Sequence, residues 1–348
     1  MKDILLNAMS APTLEDATIS ALADWQAERM PWYRALFERR KFNPKTMGHW
    51  LDIPPVFTSA FKRFKMFAGD EVAQEFKTSG TSGAAVGVSQ FSASGLEVMR
   101  EAVRFNASRM LFPDAQETAV LVLAPSPKAA PHMIMAWGMQ EVVNTFGNDQ
   151  SDFFVGRDGL DVPRLLRLLE TTTAPVTLIG ASFGFVHLVD ALDKQGWSIE
   201  LPPGSRIMDA GGFKGRSRII SPEHLRGAFS RVFGIEASHH VNLLGMTELS
   251  SQFYDSSLAE PSSPRRKVNP PWTATAAMDP VTLTDLPEGE VGLLRHLDLA
   301  NLDRPLVVQT DDLGRTVPGG FEVHGRAVND VDRGCSISVD AWTRPEAT

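Results

Sequence analysis

A run of hydroxyl and glycine residues in the first quarter of the chain has the composition of an anion-binding loop. Residues 78–83 read Thr-Ser-Gly-Thr-Ser-Gly, so four hydroxyls and two glycines occupy six positions. Glycine lets the backbone turn its N–H groups toward an anion, and the hydroxyls add short donors. The pattern predicts phosphate binding by Thr78, Ser79, Gly80, Thr81, Ser82 and Gly83. The lysine of the Walker motif G-x-x-x-x-G-K-[ST] is missing, and a plain flexible loop is the alternative.

A second segment, Gly245, Met246, Thr247 and Glu248, directly follows a predicted buried strand. In open α/β sheets, ligands bind at the carboxyl ends of the strands. A glutamate at such an end offers the oxygen ligand that a hard cation prefers, so Glu248 is a candidate ligand of Mg²⁺. The alternative interpretation is a helix start, with Thr247 as the N-cap and Glu248 in the first turn.

Paired glycines, Gly211 and Gly212, follow another predicted strand and precede Phe213. Because glycines have no side chain, a flat ring such as adenine could approach the backbone there, with Phe213 stacking nearby. A left-handed turn without any ligand is the alternative interpretation.

Two adjacent carboxylates, Asp311 and Asp312, fall within residues 310–315, which the sequence predicts to form a turn. One of the two carboxylates could accept hydrogen bonds from ribose hydroxyls. The alternative is an ordinary surface turn of the Asp-Asp-Leu-Gly type.

Strands and helices alternate between these segments. Apolar runs typical of buried strands occupy residues 119–124, 176–179, 206–210 and 240–244, with helical patterns between them. This alternation predicts an α/β sheet with much parallel pairing. We expect three regions along the chain. They are a helical cap (1–75), an α/β core for nucleotide and acid (76–285), and a β-rich subdomain with a hinge-like segment and truncated C-terminus (286–348).

Composition excludes several classes of protein. The chain has 348 residues and a formal net charge of −8, which argues against a nucleic-acid partner. No apolar run approaches the ~20 residues that span a bilayer, and the N-terminus lacks the apolar segment of a signal peptide. We therefore expect a cytoplasmic protein. The single cysteine, Cys335, excludes an intrachain disulfide and a multi-cysteine metal site.

The order of the four segments resembles that of the adenylate-forming superfamily of acyl- and aryl-CoA synthetases. In that superfamily, T-S-G-T-[ST]-G holds ATP phosphates, Y-G-x-T-E touches AMP and Mg²⁺, and T-G-D-L holds the ribose. Here Leu244 replaces the tyrosine and Asp311 the glycine, so the resemblance gives the ribose role to Asp312. A G-R-x-x-D-like hinge segment contains Arg326, with its aspartate, Asp330, one residue late.

Within the superfamily, local features resemble the acyl-protein synthetase branch, the LuxE-type long-chain-fatty-acid–luciferin-component ligases. These features are residues 53–57, 61–62, 245–249, 252–255 and 333–336. The resemblance implies the large domain of adenylate-forming enzymes with a helical N-terminal cap, a small β-rich subdomain and a truncated C-terminal domain.

The resemblance also implies a reaction that uses ATP and Mg²⁺. A carboxylic acid, most typically a fatty acid, is activated as acyl-AMP and passed to a thiol, here Cys335, for delivery to an acyl-accepting protein or an acyl-CoA-reductase-type subunit. A lone cysteine that is merely a small buried hydrophobe is the alternative. The implied catalytic residues are Cys335, Thr247 and Glu248. The implied AMP contacts are Gly211, Gly212, Phe213, Gly245, Met246, Thr247, Asp312 and Arg326.

One catalytic element of larger superfamily members has no counterpart. Those members carry a catalytic lysine in a further domain, whereas the last lysine here is Lys267. Lys77, Lys214 and Arg326 are candidates for the positive charge that the leaving pyrophosphate needs. Two rival functions follow: an acyl- or aryl-CoA ligase or amide-forming adenylase on the same scaffold, and a non-catalytic nucleotide- or acyl-binding subunit.

Overall fold

The computed structural model describes residues 1–11, 13–77, 87–114, 117–211 and 221–327. Across these ranges every helix is too short or too polar to cross a membrane. The helices are α1 (Lys2–Met9), α2 (Asp16–Arg29), α3 (Pro31–Arg39), α4 (Ala93–Met110), α5 (Ile134–Phe146), α6 (Val162–Thr171), α7 (Ser182–Gln195) and α8 (Pro222–Phe233).

The strands follow the alternation predicted from the sequence through the middle of the chain and become consecutive near its end. They are β1 (Val56–Phe57), β2 (Gln74–Lys77), β3 (Val88–Phe91), β4 (Ala119–Leu123), β5 (Asp152–Phe153), β6 (Val155–Gly156), β7 (Gly159–Leu160), β8 (Val176–Ala181), β9 (Arg206–Ala210), β10 (His240–Leu244), β11 (Phe253–Tyr254), β12 (Thr273–Met278), β13 (Gly292–Asp298), β14 (Val307–Val317) and β15 (Gly320–Arg326).

The described chain divides into two compact units, each assembled from separate segments. We call them the β-rich unit, residues 1–102, 246–251 and 266–327, and the parallel-sheet unit, residues 103–245 and 252–265. The units group residues by spatial contact. The three-region division predicted from the sequence stays a prediction.

The parallel-sheet unit has a doubly wound topology. Its strands lie in the order β11-β10-β9-β8-β4-β5, and the pairs from β5 to β10 are parallel, while β11 is antiparallel to β10. In chain order, the parallel strands are therefore arranged 2-1-3-4-5. Ligands of such sheets bind where the winding reverses, which is here at the carboxyl ends of β4 and β8.

The sequence explains why these segments form strands and helices. β4, β8 and β9 are buried along their whole length, which is why they read as continuous apolar runs. Two of the intervening helices begin at side-chain caps: Asp161 Oδ1 accepts from the N–H of Arg164 (3.1 Å) at α6, and Ser221 caps α8. Phe185 of α7 and Phe229 of α8 then pack edge to face in the core, with centroids 5.3 Å apart.

Gly180, the fifth residue of β8, marks a close approach at the winding reversal. A Cβ at this position would lie 2.8 Å from Leu123 Cβ and 3.0 Å from the Leu123 carbonyl oxygen. Contacts this short require a shift of β4, which a buried strand resists. Glycine is therefore needed here so that β4 and β8 can pair closely.

The β-rich unit contains an antiparallel sheet with a composite edge. β12, β13 and β14 pair in sequence, and the opposite edge of β14 pairs first with β1, in parallel, and then with β15. The described part of the region predicted to be β-rich contains β13, β14 and β15. β2 and β3 form a separate antiparallel hairpin.

The prediction of a turn at residues 310–315 is wrong, because these residues lie within β14. Leu313 pairs with Leu293 of β13 and with Gly325 of β15, and a register shift after it marks a bulge. Partners on both edges supply main-chain hydrogen bonds that outweigh the turn preference of aspartate and glycine. The chain reverses only after Val317, at the sequence Pro318-Gly319-Gly320.

The close approach at Gly180 predicts opposite effects of two glycine substitutions. We expect Gly180→Ala to destabilise the protein by about 1–3 kcal/mol through overpacking. Gly227→Ala is the matched control, because Gly227 lies inside α8 with open space at its Cβ position. It should stabilise the protein by about 0.5–1 kcal/mol. Urea unfolding measures both, and equal effects would contradict the assignment.

His296 predicts an acid sensitivity of folding. It is fully buried in β13, with Nδ1 2.9 Å from Thr275 Oγ1, and burial lowers its pKa to about 3. Between pH ~6.5 and 3, the unfolded chain binds a proton that the folded protein does not, so stability falls as pH falls. We expect about 2–3 kcal/mol of this loss between pH ~6.5 and ~4.5.

His296→Gln should remove that part of the pH dependence, measured as the free energy of unfolding against pH. His324→Gln, on β15 and partly exposed, is the control for loss of a histidine. A wild-type slope in His296→Gln would disprove the prediction.

Candidate active site

Thr247 and Glu248 lie in a turn after β10, and both are buried. The chain forms this turn instead of the helix start considered from the sequence. Hydrogen bonds from polar side chains hold the backbone of the turn in place. The carbonyl of Glu248 accepts a hydrogen bond from Asn301 Nδ2 (3.1 Å), and Asn301 Oδ1 accepts from the N–H of Ser250 (2.8 Å).

Asp298, the last residue of β13, holds the same turn from its other end. Its carboxylate accepts from the N–H groups of Ser250 (2.9 Å) and Ser251 (2.8 Å) and from the Ser251 hydroxyl (2.7 Å). Burial raises the pKa of Asp298, and these hydrogen bonds oppose the rise. Residues 248–251 are thus fixed by side chains rather than by regular secondary structure.

Arg304 is the largest charged side chain in this region and is fully buried. Its Nη2 donates to Ser250 Oγ (2.6 Å) and Asn301 Oδ1 (2.9 Å), and its guanidinium carbon lies 3.6 Å from the centroid of the Phe91 ring. Burial lowers the pKa of Arg304 to about 10, against the attraction of Asp303, Asp298 and Glu248. Arg304 therefore stays charged at neutral pH.

Gln26 of α2 secures the loop that carries these side chains. Its Nε2 lies within hydrogen-bonding distance of the carbonyls of Asn301 (2.6 Å) and Arg304 (2.5 Å), and its Oε1 accepts from the N–H of Leu306 (3.1 Å). Gln26 is fully buried. The N-terminal helices thereby contribute to the shape of the Glu248 turn through residues 301–306.

Sequence reasoning missed this entire support. The segment 298–305 reads Asp-Leu-Ala-Asn-Leu-Asp-Arg-Pro, a dense polar run between two buried strands. That density was the available signal, because polar groups in such a place need partners. The identity of the partners was not visible, since Gln26 lies 275 residues from Asn301.

Asp312 and Arg326, the residues predicted to contact ribose and AMP, are brought together. They are register partners on β14 and β15, and Arg326 Nε donates to Asp312 Oδ1 (2.9 Å). Although burial lowers it, the pKa of Arg326 is raised overall, because Asp312, Asp311 and Glu248 attract its charge. The β-rich unit therefore gathers three carboxylates around one arginine.

The remaining predicted residues fall into three groups, of which the first, Lys77 and Met246, belongs to the β-rich unit. Gly211 and Gly245 belong to the parallel-sheet unit, at the carboxyl ends of the neighbouring strands β9 and β10. Gly211 has φ +77° and its N–H donates to the Leu243 carbonyl (3.4 Å), so the left-handed turn considered for this position is present. The phosphate loop at 78–83, Gly212, Phe213, Lys214 and Cys335 lie outside the described residues.

Within the described ranges, no group of three or more His, Cys, Asp or Glu side chains is arranged to hold a metal ion. One carboxylate such as Glu248 suits an ion that draws its other ligands from phosphates and water, as Mg²⁺ does. The residues present therefore fit Mg²⁺ only as a companion of a bound nucleotide. The metal role of Glu248 stays a prediction.

Comparison with known proteins decides the family. The profile of the LuxE acyl-protein synthetases matches residues 16–342. The chain belongs to this family. It is 24% identical to the long-chain-fatty-acid–luciferin-component ligase of Aliivibrio fischeri over 310 residues, which cover 84% of this chain and 79% of that one. The ligase of the same name from Vibrio harveyi is 24% identical over 302 residues, 83% and 77% of the two chains.

Solved structures place the fold among adenylate-forming enzymes. A 2-hydroxyisobutyryl-CoA ligase in complex with 2-HIB-AMP and CoA matches with a TM-score of 0.66 and 14% identity, over 89% of this chain and 74% of that one. ATP-bound MatB from Rhodopseudomonas palustris matches with a TM-score of 0.52 and 16% identity, over 74% and 48%. The predicted fold class is confirmed.

Family membership also settles the kind of enzyme. The LuxE acyl-protein synthetases are ligases, and this chain is an adenylate-forming acid–thiol ligase that uses ATP to activate its acid. Which side chains perform each step is not decided by membership. The residue assignments above stay predictions.

The burial of Arg304 predicts that its removal unfolds the support of the Glu248 turn. Arg304→Met should cost about 3–5 kcal/mol, because Asp298 and Asp303 would be left buried beside no positive charge. Arg315→Met is the matched control, since Arg315 forms an ion pair with Glu322 at the surface, where solvent screening leaves such a pair little effect on stability. Urea unfolding measures both free energies. A cost for Arg304→Met as small as the control's would refute the argument.

Proposed function

We propose that this acyl-protein synthetase activates a long-chain fatty acid as its acyl-AMP and transfers the acyl group to Cys335. In the first step, an oxygen of the acid bonds to the α-phosphorus of ATP while the bond to the bridging oxygen breaks. Pyrophosphate leaves with the electron pair. In the second step, the thiolate attacks the acyl carbon, and AMP leaves with the electrons of the carbon–oxygen bond.

The observation that carries the proposal is the grouping of Asp312, Arg326 and Glu248 in the β-rich unit. The buried carboxylate of Asp312 can accept hydrogen bonds from ribose hydroxyls, because the β14 backbone fixes its position and its arginine partner is exposed. The side chain of Asp312 is 7% exposed and that of Arg326 is 69% exposed. Arg326 can therefore turn toward an anionic nucleotide while Asp312 stays in place.

The other roles follow the resemblance. Residues 78–83 hold the phosphates, Gly211, Gly212 and Phe213 flank the adenine with Gly245 and Met246, and Thr247 and Glu248 lie beside the α-phosphate. Glu248 would hold Mg²⁺ together with the phosphates, and the ion would supply positive charge where negative charge develops. Among the described residues, Lys77 at the end of β2 and Arg326 are the candidates for balancing the pyrophosphate.

The choice of acid and acceptor rests on the relatives. Two relatives are named long-chain-fatty-acid–luciferin-component ligases, which supports a fatty acid here. A thiolate is a strong nucleophile toward an activated acyl group, and Cys335 is the single cysteine of the chain. We propose that Cys335 then delivers the acyl group to a partner, an acyl-accepting protein or an acyl-CoA-reductase-type subunit.

Pyrophosphate exchange and intact-mass analysis of the full-length protein test the proposal. With ATP and Mg²⁺, long-chain fatty acids should support exchange better than short or aromatic acids. The wild type should then gain one acyl mass that hydroxylamine removes. Cys335→Ala should keep exchange and lose the acyl mass, because only the second step uses the thiol. Ser336→Ala, the neighbouring residue, is the matched control and should behave as wild type.

Each contrary outcome favours a different function. Acyl transfer to CoA at the wild-type rate by Cys335→Ala would make the chain a CoA ligase. Absence of exchange with every acid, alone and with a partner, would make it a non-catalytic nucleotide- or acyl-binding subunit.

A further inference from the structure

The parallel-sheet unit contains a buried polar network that the proposed chemistry does not use. Its members, all on β9, β10 or the first turn of α7, are Ser182, Asp209, His240 and Asn242. Asp209 lies at the centre: Oδ1 is 2.6 Å from His240 Nε2, and Oδ2 is 2.5 Å from Ser182 Oγ and 3.1 Å from Asn242 Nδ2. Ser182, Asp209 and His240 are almost completely inaccessible to solvent.

The network keeps a negative charge inside the sheet. Burial raises the pKa of Asp209, but the hydrogen bond and charge interaction with His240, together with hydrogen bonds from Ser182 and Asn242, outweigh that effect, so the pKa is lowered. A buried carboxylate would be costly without these donors. An apolar side chain would serve the core at no such cost, so the presence of Asp209 calls for a reason beyond packing.

A nucleophilic role for Ser182 does not fit its geometry. Residues 180–184 read Gly-Ala-Ser-Phe-Gly at a strand-to-helix junction, the G-x-S-x-G spacing of a nucleophile elbow. A catalytic serine donates to the histidine, with the aspartate behind it. Here both Ser182 and His240 bond to Asp209 instead. Among the described residues, the non-glycine positions with positive φ are Lys41 and Leu283, so Ser182 lacks the strained backbone of such an elbow.

The network does reach the ligand edge of the sheet. Ser182 Oγ lies 2.8 Å from the carbonyl oxygen of Gly211 and 3.3 Å from that of Ala210. The hydroxyl has one proton, shared between these carbonyls and Asp209. It therefore couples the buried carboxylate to the left-handed turn at Gly211, directly after β9 and one strand away from the winding reversal at β4 and β8.

We propose that Ser182 and Asp209 are positioning residues for the nucleotide, acting through the backbone of Gly211. The proposal rests on the proposed function, in which Gly211 flanks the adenine. Asp209 orients the Ser182 hydroxyl, and the hydroxyl fixes the direction of the Gly211 carbonyl. His240 and Asn242 hold Asp209 against rotation, and Phe229 packs edge to face on the His240 ring, with centroids 4.9 Å apart.

The test compares two buried serines of the same unit. Ser182→Ala removes the link to Gly211. Ser205→Ala is the matched control, because Ser205 is also buried and its Oγ accepts from the N–H of Val176 (3.1 Å), but at the opposite, amino-terminal edge of the sheet. The measurements are KM for ATP and KM for the fatty acid in pyrophosphate exchange, with the melting temperature of each variant.

We expect Ser182→Ala to raise KM for ATP about tenfold, the factor to which ~1.4 kcal/mol of binding corresponds. KM for the acid should stay within about twofold, and Ser205→Ala should leave both KM values within about twofold at a comparable loss of melting temperature. Asp209→Asn, the isosteric variant, should raise KM for ATP by a smaller factor. It also keeps the test available if Ser182→Ala fails to fold.

Two results would overturn the inference. One is a wild-type KM for ATP in Ser182→Ala and Asp209→Asn despite lower melting temperatures, which would leave the network a purely structural role. The other is an equal rise of KM in Ser205→Ala, which would indicate general loosening of the sheet. Failure of the proposed function is distinguishable from both, because the wild type itself would then show no exchange.

Discussion

The burial of the Arg304 charge constrains the part of the β-rich unit that carries the Glu248 turn. A guanidinium removed from water is costly unless acceptors, an aromatic face or opposite charges surround it. Ser250 and Asn301 accept hydrogen bonds from Nη2, the Phe91 ring lies against the guanidinium, and the carboxylates of Asp298 and Asp303 balance the charge, while Nε has no hydrogen-bond partner in the described part of the chain. This arrangement also sets the shape of the turn at Glu248. Asn301 and Asp298, which surround Arg304, form hydrogen bonds to the backbone of residues 248–251.

The parallel-sheet unit also buries a charged side chain, in this case the negatively charged Asp209. Asp209 is buried, held by three donors, and joined through Ser182 to the backbone of Gly211. In each unit, an irregular segment predicted to touch the nucleotide is fixed by a buried charge beside it rather than by regular secondary structure. Such networks are demanding, since every member must be satisfied, but they define one conformation.

The sequence predicted the fold where the signals are local. Apolar runs identified β4, β8, β9 and β10, and the glycines identified where strands end. The supports of the site were out of reach because their partners are distant in sequence, as with Gln26 and Asn301. The turn predicted at 310–315 failed for a related reason: local composition favours a turn, whereas pairing with β13 and β15 is a tertiary effect. Asp312 and Arg326, which were selected by their motif positions, are nevertheless hydrogen-bonded to each other, and their nucleotide roles stay predictions.

Free energy explains why the residues that hold the site, such as Arg304, are buried, whereas Arg326, which is proposed to contact the nucleotide, is exposed. An ion pair whose arginine is 69% exposed, such as that of Arg326 with Asp312, is weakened by solvent screening. Replacing the hydrogen bond from Arg326 to Asp312 by hydrogen bonds from ribose hydroxyls therefore costs little free energy, provided that the carboxylate does not move. β14 ensures this, because Asp312 pairs with Arg326 of β15 and the next residue, Leu313, pairs with both β13 and β15. Because Arg326 is exposed and Asp312 lies on a paired strand, a nucleotide can replace Arg326 at Asp312 without disturbing the fold. A fully buried arginine such as Arg304 could not be displaced in this way, because the carboxylates beside it would lose their counter-charge.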